Sequence, residues 1–88
     1  MSDASLLVFS VFDTKADAFL PPFFMATKGM ALRAFMDAVA DEKHQFRLHA
    51  ADYSLFHLGF FDEKKGQFQN LAAPDVMALA IDLLSKTN

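Results

Sequence analysis

Residues 53–61, Tyr-Ser-Leu-Phe-His-Leu-Gly-Phe-Phe, constrain the fold of this chain more than any other stretch. Side chains in a β-strand alternate between the two faces of the sheet. One face would carry Tyr53, Leu55, His57, Gly59 and Phe61, and the other Ser54, Phe56, Leu58 and Phe60. Because both faces are rich in apolar groups, the segment is predicted to be a central strand.

Other strands are predicted around it. Residues 6–12 are rich in Leu, Val and Phe, as expected for a buried strand. Residues 13–20 form a polar connection, and residues 23–26 follow two prolines and fit a short edge strand. Residues 62–66 indicate a hairpin loop in which Gly66 takes the left-handed conformation. The more polar return strand, residues 67–71, is expected at the other edge.

Two helices complete the pattern. Thr27 fits an N-cap for residues 28–40, where an apolar face recurs at helical spacing. That face consists of Leu32, Phe35, Met36 and Val39. Gly29 in the first turn implies either fraying or close backbone packing. Residues 41–52 are polar and predict a loop. Pro74 predicts the first position of the second helix, because its missing N–H costs nothing there.

The chain is therefore predicted to be a single α+β domain over residues 1–88. Its order is β-β-α-β-β-α, with a small antiparallel sheet of about four strands and two helices. Phe56 and Leu58 are expected to pack beneath the helices, against Phe35 and Ile81. His57 would then point to the opposite face.

The aromatic content is high for the size of the domain. The 88 residues include 11 Phe, and 53% of the chain is hydrophobic. A domain this small buries only about 60% of its unfolded surface. Some rings must therefore lie at the surface, either as scattered exposed edges of a monomer or as the interface of a two-fold homodimer.

Composition restricts the chemistry and the location. There is no cysteine, so disulfides and thiolate chemistry are excluded. No apolar run approaches the ~20 residues that span a bilayer, and residues 1–9 do not fit a signal peptide. We therefore expect no membrane association.

No catalytic group, metal site or cofactor is predicted. His44, His49 and His57 are too few and too scattered for a zinc site that needs three or four ligands. Asp13 and Asp17 flank Lys15, and such a cluster can do acid–base work. Capping of turn N–H groups is the commoner use of Asp at such places, and we favour it here.

Nucleic-acid stacking is the alternative use of the aromatic rings. Exposed rings on paired strands can stack on single-stranded DNA. The candidate surface for protein interaction or DNA stacking consists of Tyr53, His57, Phe61, Phe68, Lys64, Lys65 and Arg47. The net charge of −3 disfavours the DNA reading, because phosphate contacts draw on several cations. The same rings could instead fill the core and a dimer interface.

Four motifs in one order carry a resemblance to a known family. They are Asp-x-Lys-Ala-x-Ala-Phe, Pro-Phe-Phe, Gly-x-Ala-x-Arg-Ala-Phe and Tyr-x-Leu-Phe-x-Leu-Gly-x-Phe-Asp, within residues 6–68. The matching residues include Asp13, Lys15, Phe19, Pro22, Phe23, Phe24, Gly29, Arg33, Phe35, Gly59 and Asp62. Ala40 and Ala50 depart from the pattern. The chain resembles the small nonstructural protein of gokushoviruses, single-stranded DNA phages of the Microviridae.

The resemblance implies a non-enzymatic accessory protein that is absent from the virion and acts in the host cytoplasm. By analogy with a small protein of related phages, it would favour synthesis of single-stranded genomes. In physical terms it would be a small homodimer, as the excess of Phe suggests, that docks onto a viral or host replication protein through apolar patches.

Duplex DNA provides a first test. The excess of acidic over basic residues predicts that the protein binds duplex DNA weakly or undetectably at physiological salt, because it has too few cations to neutralise the phosphates. Fluorescence anisotropy with a labelled duplex would measure it. Submicromolar affinity that falls steeply with salt would contradict the expectation and make Arg33, Arg47, Lys64 and Lys65 candidate contacts.

Overall fold

The computed structural model describes residues 5–86, and the start of the chain, on which the signal-peptide expectation partly rests, lies outside them. The strands are β1 (Ser5–Asp13), β2 (Ala18–Phe19), β3 (Phe23–Met25), β4 (Tyr53–Asp62) and β5 (Gln67–Leu79). The helices are α1 (Lys28–Ala40), α2 (Gln45–Leu48) and α3 (Ala80–Lys86), with one 3-10 turn at Ala50–Asp52.

All strands pair in an antiparallel manner in one sheet. β4 lies between β1 and β5, while β2 and β3 both pair with the other edge of β1. Gly66 has a φ of 65° in the hairpin loop between β4 and β5. The α+β class, the central position of β4 and the edge positions of β3 and β5 are thus confirmed. The short strand β2 lies in the stretch expected to be a polar connection.

Helix α1 has the predicted bounds. The Thr27 side chain accepts a hydrogen bond from the backbone N–H of Met30 at 3.1 Å, which caps the helix. Ala31, Phe35 and Val39 are buried, whereas Met36 is 40% exposed. The buried stripe is therefore rotated by part of a turn from the predicted face.

The core lies between the helices and one face of the sheet, which we call the inner face. Its buried members are Leu7, Phe9, Val11, Ala31, Phe35, Val39, Ala50, Tyr53, Leu55 and Ala80. His57 is also buried on this face, opposite Phe9. The expectation that Phe56 and Leu58 pack beneath the helices is wrong. Both faces of β4 carry large apolar groups, so alternation alone could not decide which face the helices cover.

A β-bulge at Leu58 interrupts the alternation of β4. Gly59 pairs with Val8, but the next pair towards the start of β4 is His57 with Phe9, so Leu58 is the extra residue. As a result Phe60 lies on the inner face beside His57, with ring centroids 5.2 Å apart. Phe61 consequently points to the opposite face from the one that strict alternation predicts.

Gly59 occupies a point of very close backbone approach. A Cβ built there would lie 2.4 Å from the Gln69 carbonyl oxygen and 2.9 Å from the Asn70 Cα. Both are backbone atoms of β5, so no side-chain rotation could relieve the clash. Only glycine lets β5 pair with β4 in the observed register.

The second long helix does not begin at Pro74. Strand β5 continues to Leu79, which pairs with Ser54, and α3 begins at Ala80. Pro74 lies where the β4–β5 pairing skips from Asn70 to Asp75, in an edge strand that tolerates proline. The apolar residues of this segment fit both helical and strand spacing, and pairing with β4 decides between them.

Polar residues shape the loops. The Asp13 carboxylate accepts hydrogen bonds from the N–H groups of Lys15 at 3.0 Å and Ala16 at 3.4 Å. Asp13 therefore caps a turn, as favoured above. The predicted loop 41–52 contains the one-turn helix α2, whose first free N–H, that of Phe46, donates to His44 Nδ1 at 3.0 Å.

Two glycine substitutions should have opposite effects on stability. Gly59→Ala should lower the free energy of unfolding by about 1–3 kcal/mol, because the methyl group overlaps the β5 backbone. Gly29→Ala should raise it by about 0.5–1 kcal/mol, because its Cβ would meet nothing closer than 3.9 Å and alanine favours helix. Urea denaturation measures both. A tolerated Gly59→Ala would disprove the close approach, and a harmful Gly29→Ala would indicate packing around that helix turn.

Candidate interaction surface

The face of the sheet that points away from the helices carries most of the remaining rings. We call it the outer face. The strand registers place on it Leu6, Val8, Ser10, Phe12, Phe19, Phe24, Ser54, Phe56, Gly59, Phe61, Phe68, Asn70, Val76 and Leu79. Every one of these described residues is uncharged. The outer face is thus an uncharged and largely apolar surface.

One end of the outer face holds a cluster of three rings, which we call the hairpin cluster. Phe24, Phe61 and Phe68 contact one another, with centroid separations of 5.6 Å for Phe24–Phe61, 6.1 Å for Phe24–Phe68 and 4.9 Å for Phe61–Phe68. Such tilted and edge-on pairs contribute about 0.5–1.5 kcal/mol each beyond their buried area. The cluster therefore orders the rings that it exposes.

The other end holds a second group of rings, the β2 cluster. Phe19 contacts Phe12 at 4.9 Å and Phe56 at 5.3 Å, both edge-on. Between the two clusters the face carries small side chains. Ser10 is fully buried there, and its hydroxyl donates a hydrogen bond to the Leu20 carbonyl at 2.5 Å.

The sheet curls towards the outer face. Phe24 in β3 and Phe68 in β5 belong to strands at opposite edges, with β1 and β4 between them. Adjacent strands lie about 4.8 Å apart, so a flat sheet would hold these two residues far apart. Their contact shows that the curl brings the two edges together over Val8, which is buried.

The curl leaves part of each cluster in contact with solvent. Five large apolar residues of the outer face stay exposed by 40–59%: Phe19, Phe24, Phe68, Val76 and Leu79. Their shared face makes them one surface rather than scattered positions. Surfaces of this kind commonly mark sites of interaction.

The structure separates the predicted site residues into two groups. Phe61 and Phe68 lie together in the hairpin cluster. Lys65 borders an open depression that touches Phe68, but most residues that line it, such as Phe60 and Gln69, belong to the inner face. The backbone N–H groups of Lys64 and Lys65 donate to the Asp62 carboxylate at 2.9 and 3.2 Å. The two lysines thus lie in the same hairpin as the rings, in its loop.

Arg47 lies away from the hairpin. It is in α2, next to the buried core, and its guanidinium donates to the Ala40 carbonyl at 3.4 Å. It therefore does not add positive charge to the hairpin cluster.

Tyr53 and His57 lie in the core rather than on a solvent-facing platform. The Tyr53 hydroxyl donates to Gln45 Oε1 at 3.1 Å. Burial raises the pKa of the Tyr53 phenol, and the nearby carboxylates of Asp13 and Asp52 raise it further, so the phenol stays neutral.

The buried His57 ring is held on both sides. Its Nε2 lies 2.9 Å from the Gly59 carbonyl oxygen, which makes Nε2–H the donor. The Phe9 ring centroid lies 5.2 Å away, as does that of Phe60. His57 thus stabilises the bulge at Leu58.

Sequence reasoning missed two members of the surface. Val76 and Leu79 were assigned to a helix, but they pair with Phe56 and Ser54 and share the outer face. The two residues are three apart, which fits helical spacing, and the irregular pairing at Met77 hides the alternation of a strand. The sequence identifies Phe19 and Phe24 as motif residues but does not predict their contacts with other aromatic rings.

The described part of the chain shows neither a metal-binding cluster nor a membrane-spanning helix. Within residues 5–86, no three His, Asp or Glu side chains gather as metal ligands would. Among the described helices, none has the length and hydropathy to span a bilayer.

Comparison with known proteins places the chain in a viral context. A family model described as "Phage ORF5 protein" matches residues 6–83. No curated protein and no solved structure matches the chain. The matched range includes both ring clusters and the whole inner-face core.

The burial of His57 makes it more sensitive to substitution than its neighbour Phe56. His57→Ala should lower the free energy of unfolding by about 2–4 kcal/mol, since it opens a cavity between two rings and removes the hydrogen bond to the Gly59 carbonyl. Phe56→Ala should cost less, because Phe56 is only half-buried. Urea denaturation at low protein concentration would compare them. A larger loss for Phe56→Ala would contradict the assignment of the inner face.

Proposed function

We propose that this chain, which belongs to the Phage ORF5 protein family, is a non-enzymatic accessory protein that acts in viral genome replication. It would favour the synthesis of single-stranded genomes through protein–protein contacts in the host cytoplasm. A gokushovirus source, suggested by the four sequence motifs, is part of this proposal.

The observation that carries the proposal is the outer face. It combines exposed aromatic and aliphatic side chains with a complete lack of charged positions among its described residues. Protein interfaces are depleted of charge and enriched in aromatic residues at their centres. An apolar face of this kind fits a protein partner better than a charged polymer.

The roles of the polar side chains also favour a binding protein over an enzyme. Asp13, Asp41 and Asp62 each accept hydrogen bonds from backbone N–H groups two or three residues further along the chain. His44 caps α2, and His57 binds the Gly59 carbonyl. These groups have structural partners, and none of them pairs with a nucleophile.

Single-stranded DNA is the second candidate partner. Phe61 and Phe68 belong to the hairpin whose loop carries Lys64 and Lys65, so bases stacked on the rings would have two cations within the same hairpin. The net charge of −3 and the distant Arg47 weaken this alternative. Salt-dependent binding to an oligonucleotide, lost in a Phe68→Ser variant, would favour it.

The replication role can be tested in infected cells. Phage whose copy of this gene carries a stop codon should accumulate double-stranded viral DNA at the expense of single-stranded genomes. Strand-specific hybridisation over the infection would measure the ratio of the two forms. The chain supplied from a plasmid should restore the normal ratio.

A matched pair of variants connects this role to the outer face. Phe68 is 59% exposed on the outer face, and Leu48 is 61% exposed on the helical side. Leu48→Ser should restore the ratio, whereas Phe68→Ser should not. An unchanged ratio in the stop-codon phage would refute the replication role, and full rescue by both variants would separate the role from the outer face.

A further inference from the structure

We infer that the outer face is the interface between two copies of this chain, which pack sheet against sheet around a two-fold axis. The inference rests on the proposed function for the idea that this face binds protein, and it identifies that protein as a second copy. The working unit would then be a dimer in which the helices of both copies face outward.

The charge distribution favours a second copy over a different protein. Homodimer interfaces are more apolar than those of partners that meet and separate, which are about as polar as the rest of the surface. An interface that must recognise one particular foreign protein usually carries charged or polar side chains at defined positions. None of the residues that the structure places on the outer face is charged, so two copies can meet there without burying an unpaired charge or repelling each other.

The exposed apolar residues of the outer face would supply the contact area. Phe19, Phe24, Phe68, Val76 and Leu79 each keep 40–59% of their surface exposed. A standard interface buries about 800 Å² of each partner, so it would cover these residues together with the smaller side chains between them. The exposed parts of both ring clusters lie on this face, so association would cover apolar surface at both of its ends.

The curl of the sheet decides how two copies would meet. Because β3 and β5 approach each other at the hairpin cluster, the two sheets would touch through the exposed sides of the ring clusters and not as flat layers. Phe19, Phe24 and Phe68 would supply most of this contact. The order of layers would be helices, sheet, sheet, helices, and the charged residues of each copy would lie outside the contact.

Light scattering at micromolar concentration tests the oligomeric state. The expected mass is near twice 9.8 kDa. Phe68→Ser and Phe24→Ser should each weaken dimerisation at least about tenfold, as expected when a large ring is removed from an interface. Leu48→Ser, which changes an equally exposed residue on the helical side, should leave the dimer unchanged. Circular dichroism of each variant would confirm that the monomer stays folded.

A separate measurement covers variants that fail to fold. The chain has no cysteine, so a single Phe68→Cys variant offers one labelling position. A spin label there should be immobilised in the wild-type fold at high concentration and become mobile on dilution. The same label at a Leu48→Cys position should stay mobile throughout.

Each outcome decides the inference. A monomer across the concentration range, or a dimer that only Leu48→Ser disrupts, would overturn it. A monomeric chain that still restores the ratio of viral DNA forms would leave the proposed function standing and would assign the outer face to a different protein. A dimer sensitive to Phe68→Ser in a phage that replicates normally without the gene would support the interface and refute the function.

Discussion

The close contact between Gly59 and the backbone of β5 determines which side chains of β4 face the helices and which face away from them. It permits β4 to approach Gln69 and Asn70 more closely than any side chain would allow. The adjoining bulge at Leu58 then sends Phe60 to the helices and Phe61 to the outer face. His57 stabilises this bulge through its hydrogen bond to the Gly59 carbonyl. One residue without a side chain therefore sets the division of the aromatic residues between core and surface.

That division explains how a chain of 88 residues accommodates 11 Phe. Phe9 on the inner face and Phe35 of α1 are buried between the sheet and the helices. The rings of the outer face form two clusters, and within each cluster neighbouring rings partly cover one another. The second arrangement is incomplete, because Phe68 keeps more than half of its surface in solvent. A small domain cannot cover both faces of its own sheet, so the surplus is concentrated on one of them.

Local signals in the sequence predicted the parts of the fold that local forces determine. The Thr27 cap and the apolar stripe set the bounds of α1, and Gly66 set the hairpin. The errors concern choices made by long-range pairing. The residues near Pro74 fit a helix start, and only their pairing with β4 makes them part of a strand. The sequence of β4 likewise gives no sign of the bulge at Leu58. For the same reason the predicted site was only partly assembled: Phe61 and Phe68 meet, whereas His57 is drawn into the core.

Pro74 has a consequence beyond the start of α3. Strand β5 is a 13-residue strand at the edge of the sheet, and an unbroken edge of that length is a template on which further chains can add without limit. Pro74 offers no N–H to such a chain, and the skipped pairing around it breaks the straight run of backbone groups. Pro74 and the skipped pairing therefore make the edge of β5 a poor template for fibril growth.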